Sequence, residues 1–528
     1  MRVAERAVIL GFVFAALATV QGARAADDPV EMGRAIYLTG TSPNGEATRA
    51  VSAGGSVLTG AQAACVSCHR RSGLGSKEGR IAVSPVIGPI LYSKPSSSWP
   101  QRPGREAPLI KPLRQEAREA YDDMSLARAL RLGVDASGAP LDPLMPRYEL
   151  SPSDMDALIA YLRQLSASPP PGLQDQTLHL ATVVTPDADP VRARVVAETL
   201  AAWSRSGALA GIPIDLQIWR LQGEPGDWTR QLRVLQVGKP VYAVISGAGR
   251  ARWAPVRDFC EEAAVPCLFP IVDLAPDDLQ DFYTVYLSRG VPLEARILAR
   301  QIAELEPPPL RVVQLFDDEA GAQSARVLAD QLRQDIPHVA RAWNPDAPAA
   351  AVADLGAADV VVGWLSPVHL NALARLRPQG LGVRLAMYSG HLAPPEKTDL
   401  PLAWRGKARW ISLHSDPQRM RGNDVLGLVP WMERLKLPLA PENEGLLSEI
   451  YAATYFFGDA LARMRGQWSR EFLLETLESA HFARPAGAAY YALSLGPGQR
   501  EAAKAGYLLG FSGPDMRLVV PFEPRLSP

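Results

Sequence analysis

The chain is poor in cysteine, in excess charge of either sign and in long apolar runs. Four cysteines in 528 residues are too few for a disulfide scaffold, so their placement matters more than their number. A formal net charge of -1 leaves out the basic excess that a nucleic-acid binder carries. Beyond the first 25 residues no stretch is long and apolar enough for a membrane helix. There is no short-period repeat. No nucleophile–base constellation, no paired acids at a diagnostic spacing and no phosphate loop stand out, which points away from an enzyme. With 21% charged residues and 47 prolines, the composition is neither collagen-like nor globally disordered. The length exceeds one ordinary domain and suggests two to four units with their own cores.

What is present begins with a leader. Arg2 and Arg6 precede an apolar run from Ala7 to Val20, and Ala23-Arg24-Ala25 is a small-x-small cleavage site. Residues 1–25 therefore read as a signal peptide, with a run too short for a retained anchor. Its removal takes away three Arg and one Glu, so the mature charge becomes -1 - 2 = -3. The expected location is the periplasm, where cysteines meet an oxidising compartment.

A second boundary lies at Ser166-Ala167-Ser168-Pro169-Pro170-Pro171-Gly172, a run that resists helix and favours an extended spacer. We expect one domain over 26–165, a linker over 166–175 and a larger domain over 176–528. The first closes with a helix capped by Ser151, with Pro152 in its first turn and Asp154 placed as a reciprocal capping carboxylate. Met155, Leu158, Ile159 and Leu162 then give it one apolar face. Shorter helices are expected over 122–132, ending at Gly133, and over 31–38, ending near Gly40.

Cys65-Val66-Ser67-Cys68-His69 lies inside this helical unit. Two thiols at this spacing suit addition to the two vinyl groups of a haem, and the next residue offers an imidazole to the iron. A zinc half-site would need two further Cys or His ligands, and residues 26–165 hold none. A redox dithiol usually opens a helix in an α/β unit, a different setting. With no second histidine in the unit, the local soft ligands for the other face are Met32, Met124, Met145 and Met155. Met32, Met124 and Met155 fall in helical patterns and read as packing. Met145 lies in the loop Leu141-Asp142-Pro143-Leu144-Met145-Pro146. On the helix at Gly33-Arg34-Ala35-Ile36-Tyr37, the CxxCH, the Met-Pro loop and the terminal Ala160-Tyr161-Leu162 helix, residues 31–165 resemble a class I cytochrome c. That resemblance implies an all-α domain carrying one covalent haem c. Cys65 and Cys68 would be its thioether links, and His69 and Met145 its axial ligands. His/Met ligation favours electron transfer over oxygen chemistry. A proline-rich insertion around Pro95 to Pro112 departs from the family. From Arg70 to Arg118 there are ten Lys or Arg against three Glu, which reads either as a collar steering an acidic redox partner or as a solvated loop face.

After the linker the period changes. Apolar strand patterns at 178–184, 214–219, 241–245, 266–270, 311–316, 359–363 and 384–387 alternate with amphipathic helices such as 191–203 and 228–237. Strands this apolar are covered on both faces, so doubly wound parallel sheets are expected, and about 350 residues suit two lobes. On Val241-Tyr242-Ala243-Val244-Ile245-Ser246-Gly247, Val265-Pro266-Cys267-Leu268-Phe269-Pro270, the unit at 311–332 and the late helix 451–464, this region resembles periplasmic substrate-binding proteins of the branched-chain amino-acid receptor type. The resemblance implies a two-lobed α/β fold related to ABC transporters, with ligand loops at 246–250, 271–273, 364–366 and 388–391. Ser246, Gly247 and Ser389 are the candidate small-residue contacts. Ala248-Gly249-Arg250 departs from the family's hydroxyl-rich run. Trp364 and Tyr388 read either as stacking surfaces for a ligand or as lobe packing. The other histidines stand singly and read as surface or core residues. Cys260 and Cys267 fit either a disulfide, given export, or two buried thiols.

Together these readings describe an exported electron carrier, not an enzyme, with a tethered solute-binding-like module. The expected partners are a redox protein and a small-molecule ligand, with no nucleic acid and no membrane span. By analogy with similar fusions, the redox partner is a periplasmic dehydrogenase or another cytochrome. The alternative is a small-molecule receptor or redox sensor whose lobe closure modulates the haem domain.

Overall fold

The computed structural model describes residues 28–78, 81–94, 118–207, 209–276, 281–414, 427–438, 443–479, 490, 493–512, 517–519 and 525–526. The leader, the insertion around Pro95 to Pro112 and much of the basic stretch lie outside the described residues. The chain divides between Pro170 and Pro171 into two compact units. Among the described residues, no helix is long and apolar enough to cross a membrane.

The first unit is built on two crossing helices, α1 (Pro29–Thr39) near its start and one near its end. Asp28 caps α1 through the Val30 amide, and Gly40 ends it in the left-handed conformation at φ 66°. Two short strands follow, β1 (Arg49–Val51) and β2 (Val57–Thr59), then the single turn α2 (Val66–His69) and the helix α3 (Asp123–Leu132). Asp122 and Ser125 form a reciprocal cap at the start of α3, and Gly133 closes it at φ 67°. Strand β3 (Arg147–Glu149) leads into α4 (Pro152–Gln164). Ser151 caps α4 through the Asp154 amide. The Asp154 carboxylate is not turned back onto that cap, but accepts from Ser42 Oγ at 3.0 Å. Beyond the all-α expectation, β2, β1 and β3 form a small antiparallel sheet in that order. The core gathers Ile36, Tyr37, Leu126, Leu130, Met155, Leu158 and Leu162. Helices α1 and α4 cross at Gly33, where an added Cβ would lie 2.0 Å from the Ala157 carbonyl oxygen. Only glycine permits that approach.

The second unit holds two sheets. In the first lobe, β4 (Thr177–Val184), α5 (Pro190–Arg205), β5 (Ile214–Arg220), α6 (Trp228–Gly238), β6 (Ala243–Ile245), α7 (Ala254–Glu262), β7 (Cys267–Leu268) and β8 (Thr284–Val285) alternate along the chain. The parallel order is β5-β4-β6-β7-β8. The second lobe repeats the plan with α8 (Val291–Ala303), β9 (Val312–Phe316), α9 (Glu319–Gln331), β10 (His338–Ala342), β11 (Val360–Trp364), α10 (Pro367–Leu376), β12 (Leu385–Ser389) and β13 (Ala408–Ser412). Its parallel order is β10-β9-β11-β12-β13. Both lobes thus reverse strand order beside their first strand, the point where open α/β sheets open a crevice. The chain then returns to the first lobe, where α11 (Leu428–Leu435) and α12 (Glu444–Met464) pack on α5 and α13 (Arg470–Glu478) packs on α12. It then re-enters the second lobe with β14 (Ala505–Ser512), antiparallel to β13. The sheets are therefore mixed and mostly parallel. Strand β10 escapes an apolar pattern because it is an exposed edge, and β14 sets the one long antiparallel pairing.

Candidate functional site

In the first unit, α2 puts Cys65, Cys68 and His69 on one turn, with Cys65 at its N-cap position. Cys65 is buried and Cys68 exposed, and both thiols are free. Burial pushes the Cys65 thiol up to about 11, countered in part by the Tyr148 hydroxyl at 3.8 Å.

His69 is buried, and its Nδ1 lies 2.9 Å from the Ser84 carbonyl oxygen. A carbonyl only accepts, so Nδ1 carries the proton and Nε2 keeps its lone pair. Burial lowers the His69 pKa, partly offset by the Ser84 contact, and favours this neutral ring. The loop that brings Ser84 back depends on Gly75 at φ 76°, whose Cβ would fall 2.0 Å from the Val83 carbonyl oxygen. The Gly75 amide in turn donates to the His69 carbonyl at 3.1 Å. Tyr37 on α1 donates its hydroxyl to the Arg70 carbonyl at 2.7 Å. That bond ties the helix crossing to the residue after His69.

Met145 sits partly buried against the same core. Its loop is an Asx-type turn: Asp142 Oδ1 accepts from the Leu144 amide at 2.9 Å, and the Asp142 carbonyl accepts from the Met145 amide at 2.9 Å. Arg147 donates to the Met145 carbonyl. One residue further on, Tyr148 reaches Cys65 and also donates to the Ala63 carbonyl at 2.9 Å. The strand leaving the Met145 loop therefore packs directly on the CxxCH turn. Met155 is core at 1% exposure, whereas Met124 is 81% exposed, so the packing role expected for Met124 is not where the structure puts it. This donor set fits a c-type haem: two thiols on one turn, an imidazole with a tied Nδ1 and a thioether in an anchored loop. Sequence reasoning named Tyr37 only within the first helix, without its role, and missed Tyr148 and the Ser84 carbonyl, because such partners are set by tertiary contact.

Residues 53–166 match the family model described as Cytochrome c. This part of the chain is a cytochrome c domain. The match begins after α1, so the helix crossing at Gly33 lies only half within it. A cytochrome c domain implies covalently bound haem c and suggests electron transfer. No curated protein sequence matches the chain.

The second unit resembles several solved structures. The leucine-binding protein LivK of Thermotoga maritima MSB8 is 14% identical, with 66% of this chain and 99% of that chain covered at a TM-score of 0.50. A solute-binding protein of an ABC transporter from Rhodopseudomonas palustris BisB5, solved with 3,4-dihydroxybenzoic acid, is 14% identical, covering 67% and 98% at 0.50. A branched-chain amino-acid ABC transporter protein from Thermus thermophilus with bound valine is 13% identical, covering 66% and 97% at 0.50. These likenesses establish the two-lobed fold of the second unit.

At the strand ends of that fold, Ser246 is buried with φ 46° and its carbonyl accepts from Thr182 Oγ1 at 3.1 Å. Gly247 lies under Trp253, where a Cβ would come within 2.3 Å of the indole. Trp364 is wholly buried and donates to Gln314 Oε1 at 2.9 Å. Tyr388 packs on Trp410 with ring centroids 5.2 Å apart. For both aromatics the structure shows packing and no open face for stacking, because β11 and β12 are central strands covered on both sides. Ser389 donates to the buried Glu294 carboxylate, which also accepts from the His391 amide at 3.1 Å. Burial pushes the Glu294 carboxyl up to about 7. Four histidines read as isolated are paired with carboxylates: His179 with Asp215 at 2.8 Å, His369 with Asp317 at 2.6 Å, His391 with Asp273 at 2.8 Å and His414 with Glu449 at 2.7 Å. Cys260 and Cys267, on α7 and β7, are joined as a disulfide with Cα atoms 6.1 Å apart.

Proposed function

We propose that this chain is a periplasmic one-haem electron carrier with a tethered solute-binding-like module. Cys65 and Cys68 would hold the haem by thioether bonds, and His69 and Met145 would be the side chains offered to its iron. The bound haem supplies an iron that accepts and returns single electrons. The observation that carries this reading is the His69 Nδ1–Ser84 contact inside a CxxCH turn, because it fixes the tautomer that presents Nε2 as a ligand. The chain's own residues supply orientation: Tyr37 holds the turn from α1, and the Asp142 turn with Arg147 anchors Met145. The redox partner is a periplasmic dehydrogenase or another cytochrome. Mature protein purified from a periplasmic fraction tests the reading through the peptide spanning 65–69. Its mass should include one haem, and an unmodified peptide would overturn it.

A second reading, a small-molecule receptor that modulates the haem domain, is favoured by the two-lobed fold, which in the relatives with valine and 3,4-dihydroxybenzoic acid holds a solute. A thermal-shift screen of small organic acids and amino acids on the full chain separates the two, since a bound solute raises the transition of the second unit. No shift with any of them would favour the carrier reading alone.

A further inference from the structure

The crevice of a two-lobed α/β fold opens where strand ends of both sheets face one another. Here that place is crossed by the protein's own charges. Asp273, after β7 in the first lobe, is 3% exposed. Its carboxylate receives Arg192 of α5 at 2.6 Å and Arg250, after β6, at 2.9 Å. It also receives His391 of the second lobe at 2.8 Å. Arg250 continues across the crevice to Asp318, after β9 in the second lobe, at 2.6 Å. A more exposed pair, Arg252 with Glu319 at 3.9 Å, lies beside it. The geometry points to an ion-pair latch, Arg250–Asp318 and Asp273–His391, that holds the two lobes of the second unit together without a bridging solute.

Direction and burial support the Asp273–His391 side, whereas at Asp318 burial outweighs the Gly321 amide and Arg250 and raises the carboxyl. Burial opposes a charge on Asp273, yet Arg192, His391 and Arg250 hold its carboxyl well below the usual range. Burial alone would lower His391, but Asp273 holds it above its ordinary value, with Arg192 opposing and Glu294 assisting. A buried pair contributes little against an apolar isostere, but losing one partner leaves an uncompensated charge in the crevice. The cheapest relief is to let water in, which means opening the lobes. A solute entering such a crevice has to displace these pairs, so closure and solute binding compete instead of reinforcing each other.

The test is a distance across the crevice in the full-length protein. Nitroxide labels at Val237→Cys on α6 and Val368→Cys on α10 sit on exposed positions, one per lobe. The otherwise unaltered protein should give one narrow distance distribution with no solute added. Arg250→Gln should add a longer-distance population, raising the open fraction by about two- to fivefold. Asp318→Asn is the second variant. Asp318 caps α9 through the Gly321 amide, and Asn keeps a capping oxygen while removing the charge, so the fold is retained. A distribution unchanged in both variants, or an open population already dominant before substitution, overturns the latch. Neither outcome bears on whether the first unit carries electrons.

Discussion

Gly33 offers a perturbation whose size can be worked out from the helix crossing. Changing Gly33→Ala raises helix propensity by about 1 kcal/mol. Against that gain, the new Cβ would lie 2.0 Å from the Ala157 carbonyl oxygen, 2.6 Å from its carbon and 2.8 Å from Tyr161 Cβ. These are backbone atoms of α4 and the root of a buried tyrosine, so no flexible side chain can yield. The helices must separate by more than an ångström, loosening Ile36 and Tyr37 of α1 from Leu158 and Tyr161 of α4, all buried. Overpacking of this kind costs about 1–3 kcal/mol, and a rigid obstacle puts it at or above the upper end. The net expectation is a loss of about 2 kcal/mol, which lowers a urea midpoint by roughly 1 M. Hydrogen exchange on peptides covering 29–39 and 152–164, followed through a urea series, reads this unit separately from the rest. Gly54→Ala is the control, since only Ser52 Oγ at 3.9 Å would meet its Cβ, and its stability should stay within about 0.5 kcal/mol of the parent. A Gly33→Ala protein as stable as the parent would refute the crossing geometry.

Two further outcomes follow from the second unit. Glu294 has a carboxyl raised from 4.5 to about 7 by burial. A raised pKa gives stability that is complete below the unfolded value and lost as pH rises to the folded one. Its contribution therefore falls between pH 4.5 and 7 by about 3 kcal/mol. Glu294→Gln should remove that slope in denaturant titrations, and parallel profiles for the two proteins would contradict it. The disulfide closes a short loop of sequence separation 7, and the double change Cys260→Ser, Cys267→Ser should cost roughly 2–3 kcal/mol. Alkylation under denaturing conditions should label these cysteines only after reduction; labelling without reductant would remove the bond.

The fold was legible where burial writes a period into the sequence. The apolar runs at β4, β9 and β11 and the capped helix α4 stand out because they are packed on defined faces. Strand β10 did not, being an exposed edge, and β14 pairs with a partner about 100 positions earlier. The CxxCH turn was legible because the chemistry of attachment demands local spacing. Its supports were not: Tyr37, Ser84 and Tyr148 reach it from α1, a returning loop and β3, and their contacts with the turn have no local signature. In the second unit Trp364 and Tyr388 could be read either as ligand contacts or as packing, and they are core. The charged residues Arg192, Asp273, Asp318 and His391, scattered over 200 positions in the sequence, are what meets at the crevice.

In the proposed carrier, Met145 and His69 together hold the iron of a covalently bound haem in the first unit. The most direct measurement is the methionine–iron absorption band of the oxidised full-length protein beside that of Met145→Ala. The parent should show the band and the variant should lose it, with the haem still attached through Cys65 and Cys68. A parent without the band, or a variant that retains it, would contradict the assignment.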